Sequence, residues 1–349
     1  MNNRIQKINY QAVDLAKFFF CVCILFRHTG AYHEIPCSWY FQHMLFCLAV
    51  PFFFVASGFF LGRKIWNSDH SQLPQIAKGY VNRLLYPYII FTVINSIFAG
   101  RDLLAGGESI KWTCLRLARA AIFYPYGALW YVWASIIGCI LLCWFIKKNK
   151  LKLAMILGLL SYIFALLCNS YYFVIEGTIF QRIADIYLKI TTSARNGFFV
   201  GLLLLGIGVC LARHEQALHE RKNVIRAAVC LAVSFLVLFA EVSFIQNKTF
   251  ADDHSLFIAQ LVVIPSLLVL LMNVKNCGLK PQYTTLLRNM STGIYFIHRP
   301  VLTVFRYFLA FIVCEMSGIL QFIILFAVCS LICLPVFLKK KEPLYSLLK

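Results

Sequence analysis

Negative charge is scarce in this chain. Only 14 of its 349 residues are Asp or Glu, against 33 Lys and Arg, and the four types together make up 13% of the sequence. So thin a charged complement excludes an ordinary soluble globular domain, in which about a quarter of the residues are charged. The short motifs of soluble enzymes are also missing: there is no G-x-S-x-G, no H-E-x-x-H and no Walker-type phosphate loop. Fourteen cysteines do not fill that gap. No paired C-x-x-C occurs, and Cys139/Cys143 and Cys329/Cys333 repeat at one-turn spacing with no histidine nearby, so no metal site is expected. No internal repeat is evident, which counts against the two-halved architecture common among secondary transporters.

What the chain has in abundance is apolar surface. Hydrophobic residues make up 61% of it and the mean hydropathy is +0.76, the composition of a polytopic membrane protein. Runs long enough to cross about 30 Å of hydrocarbon fall near 13–33, 41–62, 84–100, 128–146, 153–172, 196–212, 224–245, 255–273, 291–313 and 318–338. The expected fold is therefore all-α, a single transmembrane bundle of about ten helices over 1–349. The first run is too polar for a cleaved signal peptide, carrying Asp14, Lys17, Arg27 and His28.

Lys and Arg are segregated. Arg4, Lys7, Arg63, Lys64, Lys78, Arg83, Lys147, Lys148, Arg213, Arg221, Lys222, Lys275, Lys339, Lys341 and Lys349 all fall on the side that holds both ends, which makes the termini cytoplasmic. The net charge of +19 is thus divided among short loops, and no concentrated basic domain suggests a nucleic-acid partner. Segments outside the runs are short. The segment 101–127 reads as an interfacial helix, and 173–195, with Glu176, Arg182, Asp185, Lys189 and Arg195, as a cover for a pocket. Any chemistry must therefore occur inside the bundle.

Lys17 and His28 stand eleven residues apart in the first run. At about 100° per residue, eleven steps return a helix to within roughly 20° of its starting direction, and the rise separates the two groups by about 16 Å. Asp14, Cys21 and Ile24 or Leu25 share that stripe, whereas Phe19, Phe20, Val22 and Phe26 face elsewhere. Ionisable groups within a bilayer are costly and mark function. The alternative is that Lys17 and His28 reach the two interfaces and only fix the depth of the helix. Glu241 is the acid of an otherwise apolar run; Arg195-Asn196 opens the sixth run; His298 precedes Arg299-Pro300, where the proline frees a main-chain carbonyl. For Ser57 and Gly58 close helix packing is the simpler account.

Several ordered segments resemble one known family. Asp14-Leu-Ala-Lys17 with His28, Pro51-Phe-Phe-Phe-Val-Ala-Ser57-Gly58, Asn82-Arg83-Leu-Leu-Tyr-Pro87, Leu129-Trp130-Tyr131, Arg195-Asn196-Gly197 and Ser291-Thr-Gly293-Ile-Tyr295-Phe-Ile-His298 follow the pattern of the acyltransferase 3 family of integral membrane acyltransferases. Departures from that pattern are Lys17 where arginine is commoner, Tyr80 at the first position of an Arg-x-x-Arg with Lys78 as a stand-in, and Ala128 where a histidine often precedes Leu-Trp. The resemblance implies transfer of an acyl group, usually acetyl, from cytoplasmic acyl-CoA to a hydroxyl of a carbohydrate or other cell-envelope acceptor, by an enzyme of the inner membrane. In that setting His28 is the candidate base or transient acyl carrier, because imidazole titrates nearest neutrality. Glu241 is a candidate orienting partner for it. Lys17, Lys78 and Arg83 are candidates for the coenzyme, and Arg195, Asn196 and His298 for the acceptor. A small-molecule transporter or exporter is the rival reading, in which the stripe would line a permeation path.

Overall fold

The stripe carrying Lys17 and His28 lies on α1 (Gln11–Thr29), whose exposed Phe19 points away from the buried Asp14, Cys21, Ile24 and Leu25. The computed structural model describes residues 10–308, 316–340 and 342–348. Residues 309–313 of the ninth apolar run, and Arg4, Lys7, Lys341 and Lys349 of the basic set, lie outside these. Next come α2 (Ser38–Met44), α3 (Ala49–Trp66), α4 (Leu73–Ala105), α5 (Ile110–Phe123), α6 (Trp130–Lys147), α7 (Leu151–Leu167) and α8 (Ile179–Thr191). A π turn over Gly197–Gly201 leads into α9 (Leu202–Arg213). The chain continues through α10 (Glu215–Leu218), α11 (Arg221–Ile245), α12 (Gln260–Met272), α13 (Pro281–Phe308), α14 (Gly318–Lys339) and α15 (Leu344–Leu348).

Among the described residues there is no strand, and each expected run coincides with a helix. Five stretches are long and apolar enough to cross a bilayer by length and composition: Ser38–Trp66, His70–Ala105, Trp130–Lys147, Arg221–Ile245 and Gly318–Lys339. Three more helical stretches are apolar but shorter, Leu151–Leu167, Gly197–Arg213 and Gln260–Met272. This is an all-helical membrane bundle.

Two boundaries differ from expectation for physical reasons. The third run, read as 84–100, is the middle of the 33-residue α4, which passes through Pro87 without ending. The eighth, read from 255, becomes helical only at Gln260, because the residues before it are held as a loop by side-chain contacts described below. The segment 101–127 contains the helix α5, capped by Ser109, and 173–195 contains the amphipathic α8.

Lipid provides no hydrophobic drive between helices, so their contacts depend on close packing. α3 and α9 meet backbone to backbone. A Cβ on Gly58 would fall 2.2 Å from the Leu205 carbonyl oxygen, and one on Gly208 would fall 2.1 Å from that of Val55. The packing account of Gly58 is therefore the observed one, while Ser57 bonds the Tyr131 hydroxyl at 3.1 Å.

α1 and α13 run side by side in the same direction. Asp14 meets Arg288 at 3.5 Å, the Cys21 thiol donates to the Ser291 carbonyl at 3.2 Å, and the rings of His28 and His298 lie 5.3 Å apart. Residues 288, 291, 295 and 298 of α13 thus form a stripe complementary to that of α1.

Gly58→Ala and Gly208→Ala should each destabilise the bundle by roughly 1–3 kcal/mol, since neither backbone can withdraw without moving a helix. Gly79→Ala, where an added Cβ meets nothing within 4 Å, should be neutral or better. Thermal unfolding in detergent would measure all three.

Candidate functional site

α1 delivers His28 to a cavity of about 580 Å³ at the end of the bundle opposite Tyr10. The imidazole is half-buried and has no hydrogen-bond partner among the described residues, so its nitrogens are available to the cavity. Its ring stacks on that of His298, with 29° between the planes. His298 is wholly buried; Nδ1 lies 2.7 Å from the Tyr295 carbonyl, and Nε2 has no partner. A carbonyl can only accept, so the proton sits on Nδ1 and the Nε2 lone pair is left free. His298 therefore does two things: it bonds the Tyr295 carbonyl of its own helix, and it supports one face of His28.

One wall of the cavity is an ion network built on Arg195, which is 8% exposed. Nη1 donates to Asp253 at 2.6 Å, and Nη2 to Asp252 at 3.1 Å and to the Tyr124 hydroxyl at 2.5 Å. Arg27, one residue before His28, reaches the same Asp253 at 3.1 Å. Ser193 donates to Asp252 at 2.5 Å and Asn169 to Asp253 at 3.2 Å, while the Asn169 carbonyl accepts the amides of Ser255 and Leu256. These bonds hold the loop before α12 open. Burial pushes the Asp253 carboxyl up, but Arg195 and Arg27 outweigh that and hold it below the ordinary carboxylate range. Asp252 goes the other way, raised by burial and by Asp253 despite its contact with Arg195.

Toward the Tyr10 end lie two adjoining spaces of about 590 and 140 Å³, both lined by Lys17, Ser57, Tyr80, Arg83 and Arg288. Lys17 Nζ sits 4.5 Å over the ring of Phe60 and Arg83 sits 5.7 Å over Tyr80. Lys64 adds a fourth cation, and Glu342 is the carboxylate in the lining. The salt bridge of Asp14 is with Arg288 rather than Lys17. Tyr295 lines both this chamber and the His28 cavity. Its hydroxyl donates to the Ala128 carbonyl at 2.5 Å, and its ring meets Tyr131 edge-on at 5.9 Å. Ala128 holds a left-handed φ of 62°, a strain a non-glycine residue adopts only when its surroundings impose it.

The sequence-derived residues divide accordingly. His28 and Arg195 share one cavity with His298 directly behind; Lys17 and Arg83 share the other chamber. Lys78 is exposed and lines neither. Asn196 is the cap of the π turn, accepting the amides of Phe198 and Phe199 at 3.0 Å and donating to the Tyr187 hydroxyl. Glu241 accepts the amides of Ile258 at 2.6 Å and Ala259 at 3.0 Å and the Tyr171 hydroxyl, so it fixes the start of α12 and does not line the His28 cavity. Residues the sequence reading passed over are Arg27, Asp252, Asp253 and Arg299 in the cavity wall and Lys64 and Arg288 in the chamber. An adjacent acidic pair in so acid-poor a chain was the available signal for Asp252 and Asp253. Among the described residues no group of three or more His, Cys, Asp or Glu is placed to hold a metal.

Arg195→Ala should cost on the order of 3 kcal/mol, because it leaves two neighbouring carboxylates without their shared countercharge. Trypsin cleavage near 246–259, followed alongside thermal unfolding, should accelerate in that variant and much less in Asn196→Ala.

Comparison with known proteins places this geometry. An amino-acid racemase of Enterococcus faecalis is 24% identical over 341 residues, covering 95% of this chain and 46% of that protein. A second from the same organism is 24% identical over 277 residues, covering 77% of this chain and 36% of the relative. A serine/alanine racemase of Enterococcus gallinarum is 22% identical over 221 residues, covering 63% and 31%. The chain thus spans less than half the length of each of these relatives. No solved structure matches it significantly. A family model described as an acyltransferase domain matches residues 10–338, the whole bundle from the first residue before α1 into α14. The chain belongs to the acyltransferase 3 family.

Proposed function

We propose that this membrane acyltransferase moves an acyl group, in the first instance acetyl, from acyl-CoA on the cytoplasmic side to a hydroxyl of a carbohydrate or related cell-envelope acceptor on the other. One observation supports this most: a single helix presents a free imidazole to one cavity and a cation to another, and one side chain, Tyr295, is common to both walls.

The distribution of the basic loops supports this orientation. Arg63, Lys64, Arg213 and Arg221 lie toward the Tyr10 end, which is then cytoplasmic. The chamber there fits a polyphosphate: Lys17, Lys64, Arg83 and Arg288 converge on it with Glu342 as the opposing carboxylate in its lining. Arg83 and Arg288 present planar guanidinium forks, whereas Lys17 and Lys64 act as point charges. The thioester supplies an activated acyl carbon. The chain's own task is proton transfer: His28 takes the proton from the acceptor hydroxyl as the ester bond forms and returns it to the departing sulfur. His298 supports one face of the His28 ring. The Arg195 network keeps the acceptor cavity open.

The test is transfer of labelled acetyl from acetyl-CoA to candidate glycans by the purified protein. His28→Ala should lower the rate by roughly 10²-fold or more at unchanged thermal stability; full activity in that variant would eliminate the proposal. A double Lys64→Gln, Arg83→Gln variant should raise KM for acetyl-CoA by about tenfold while sparing kcat, and the difference should shrink at high salt.

The shared Tyr295 wall equally suits a permeation path. Liposome uptake of serine that needs no acyl-CoA would replace the enzyme with a transporter.

A further inference from the structure

Five arginines line the His28 cavity: Arg27, Arg116, Arg119, Arg195 and Arg299. Asp253 is the carboxylate in that lining. Four of the guanidiniums are engaged. Arg27 and Arg195 share Asp253, with Asp252 behind it; Arg116 meets Glu108 at 2.8 Å; Arg119 donates to the Lys189 carbonyl at 3.1 Å and to the Thr192 hydroxyl at 3.5 Å. Arg299 has no hydrogen-bond or ion partner among the described residues. Counting Asp252, Asp253 and Glu108 against the five arginines, the wall carries two positive charges in excess.

Arg299 is partly buried on α13, one residue beyond His298, and lines the same cavity as His28. A guanidinium carries five donors in a fixed fork, and moving it from water into a helix bundle is costly unless those donors are met. Nothing within the described residues meets them, and the cavity is where a partner would sit. A neutral sugar would leave both the donors and the surplus charge uncompensated.

We infer that the acceptor carries an oxyanion, phosphate or carboxylate, beside the hydroxyl to be acylated, and that Arg299 holds that group while His28 addresses the hydroxyl. Arg299 is then the residue that selects anionic acceptors over neutral ones. This deepens the proposed function and rests on it for the word acceptor, although the binding itself does not. The oxyanion could belong to a soluble sugar derivative or to a lipid headgroup entering from the adjacent leaflet; the chemistry at Arg299 is the same.

The test is equilibrium binding to the full chain in phosphatidylcholine nanodiscs with no acyl donor present, so that turnover plays no part. Glucose 1-phosphate and glucuronate are the anionic probes and glucose the neutral one. The wild type should bind the anionic probes at least about tenfold more tightly than glucose, the scale of a charge-assisted contact. Arg299→Gln should abolish that preference, and Arg299→Lys, which keeps the charge, should retain most of it and so exclude a folding defect. Lys78→Gln, at an exposed residue that lines neither space, should leave the preference intact. In nanodiscs containing phosphatidylglycerol, competition that weakens probe binding to the wild type would identify a lipid headgroup as the source, and unchanged binding a soluble one. Equal affinity for the anionic and neutral probes in the wild type, an Arg299→Gln variant that binds like the wild type, or loss of the preference in Lys78→Gln would each overturn the inference. Intact anion binding without His28-dependent transfer would strike the enzymatic reading alone.

Discussion

The parallel seam between α1 and α13 is the constraint on which both chambers depend. Asp14 to Arg288, Cys21 to Ser291 and His28 to His298 are successive rungs of one contact. Helical periodicity sets their spacing, so the register that joins the lowest rung also fixes the highest. A slip of one turn would carry His298 away from His28 and Arg288 away from Asp14 together. The glycine contact between α3 and α9 plays the supporting part, closing the bundle on the far side of Ser57 and Tyr131.

Charge is handled differently at the two ends. In the His28 cavity most cations are already bound, and the Arg195 network is internally satisfied, which makes it a wall. In the Lys17 chamber Lys17, Lys64 and Arg83 have no carboxylate within salt-bridge distance among the described residues, and only Arg288 meets one, Asp14. Lys17 is partly buried there, while Lys64 and Arg83 are exposed at the mouth of the chamber, so its positive charge is open to the outside.

The first helix was legible from its residues, because a three-turn recurrence of polar positions in an apolar run needs no tertiary information. The Ser291 to His298 segment was visible as a pattern, but not its pairing with α1, since nothing in a sequence states which two helices run side by side. Glu241 shows the reverse difficulty. A lone acid in an apolar helix looks functional, and only the coordinates show it bonded to the amides that begin α12. Lys78 failed for a rotational reason: it and Arg83 lie five residues apart on α4, about 140° around the axis, so they cannot both face one chamber. Asp252 and Asp253 lay at the edge of a run read as helix, where the apolar signal concealed a loop that Arg195 organises from a distant part of the chain.

α4 runs for 33 residues, about 50 Å at the usual rise, whereas the hydrocarbon slab measures about 30 Å. It must lean or overhang. One part of it contributes Tyr80 and Arg83 to the Lys17 chamber, and its far end leads through a short turn to α5, whose arginines line the His28 cavity. α14, at 22 residues, is about 33 Å long and nearly matches the slab. The inclination of α4, the longest of the described helices, is thus set in part by the thickness of the lipid, and the composition of the host membrane becomes part of the geometry of the chamber that Tyr80 and Arg83 line.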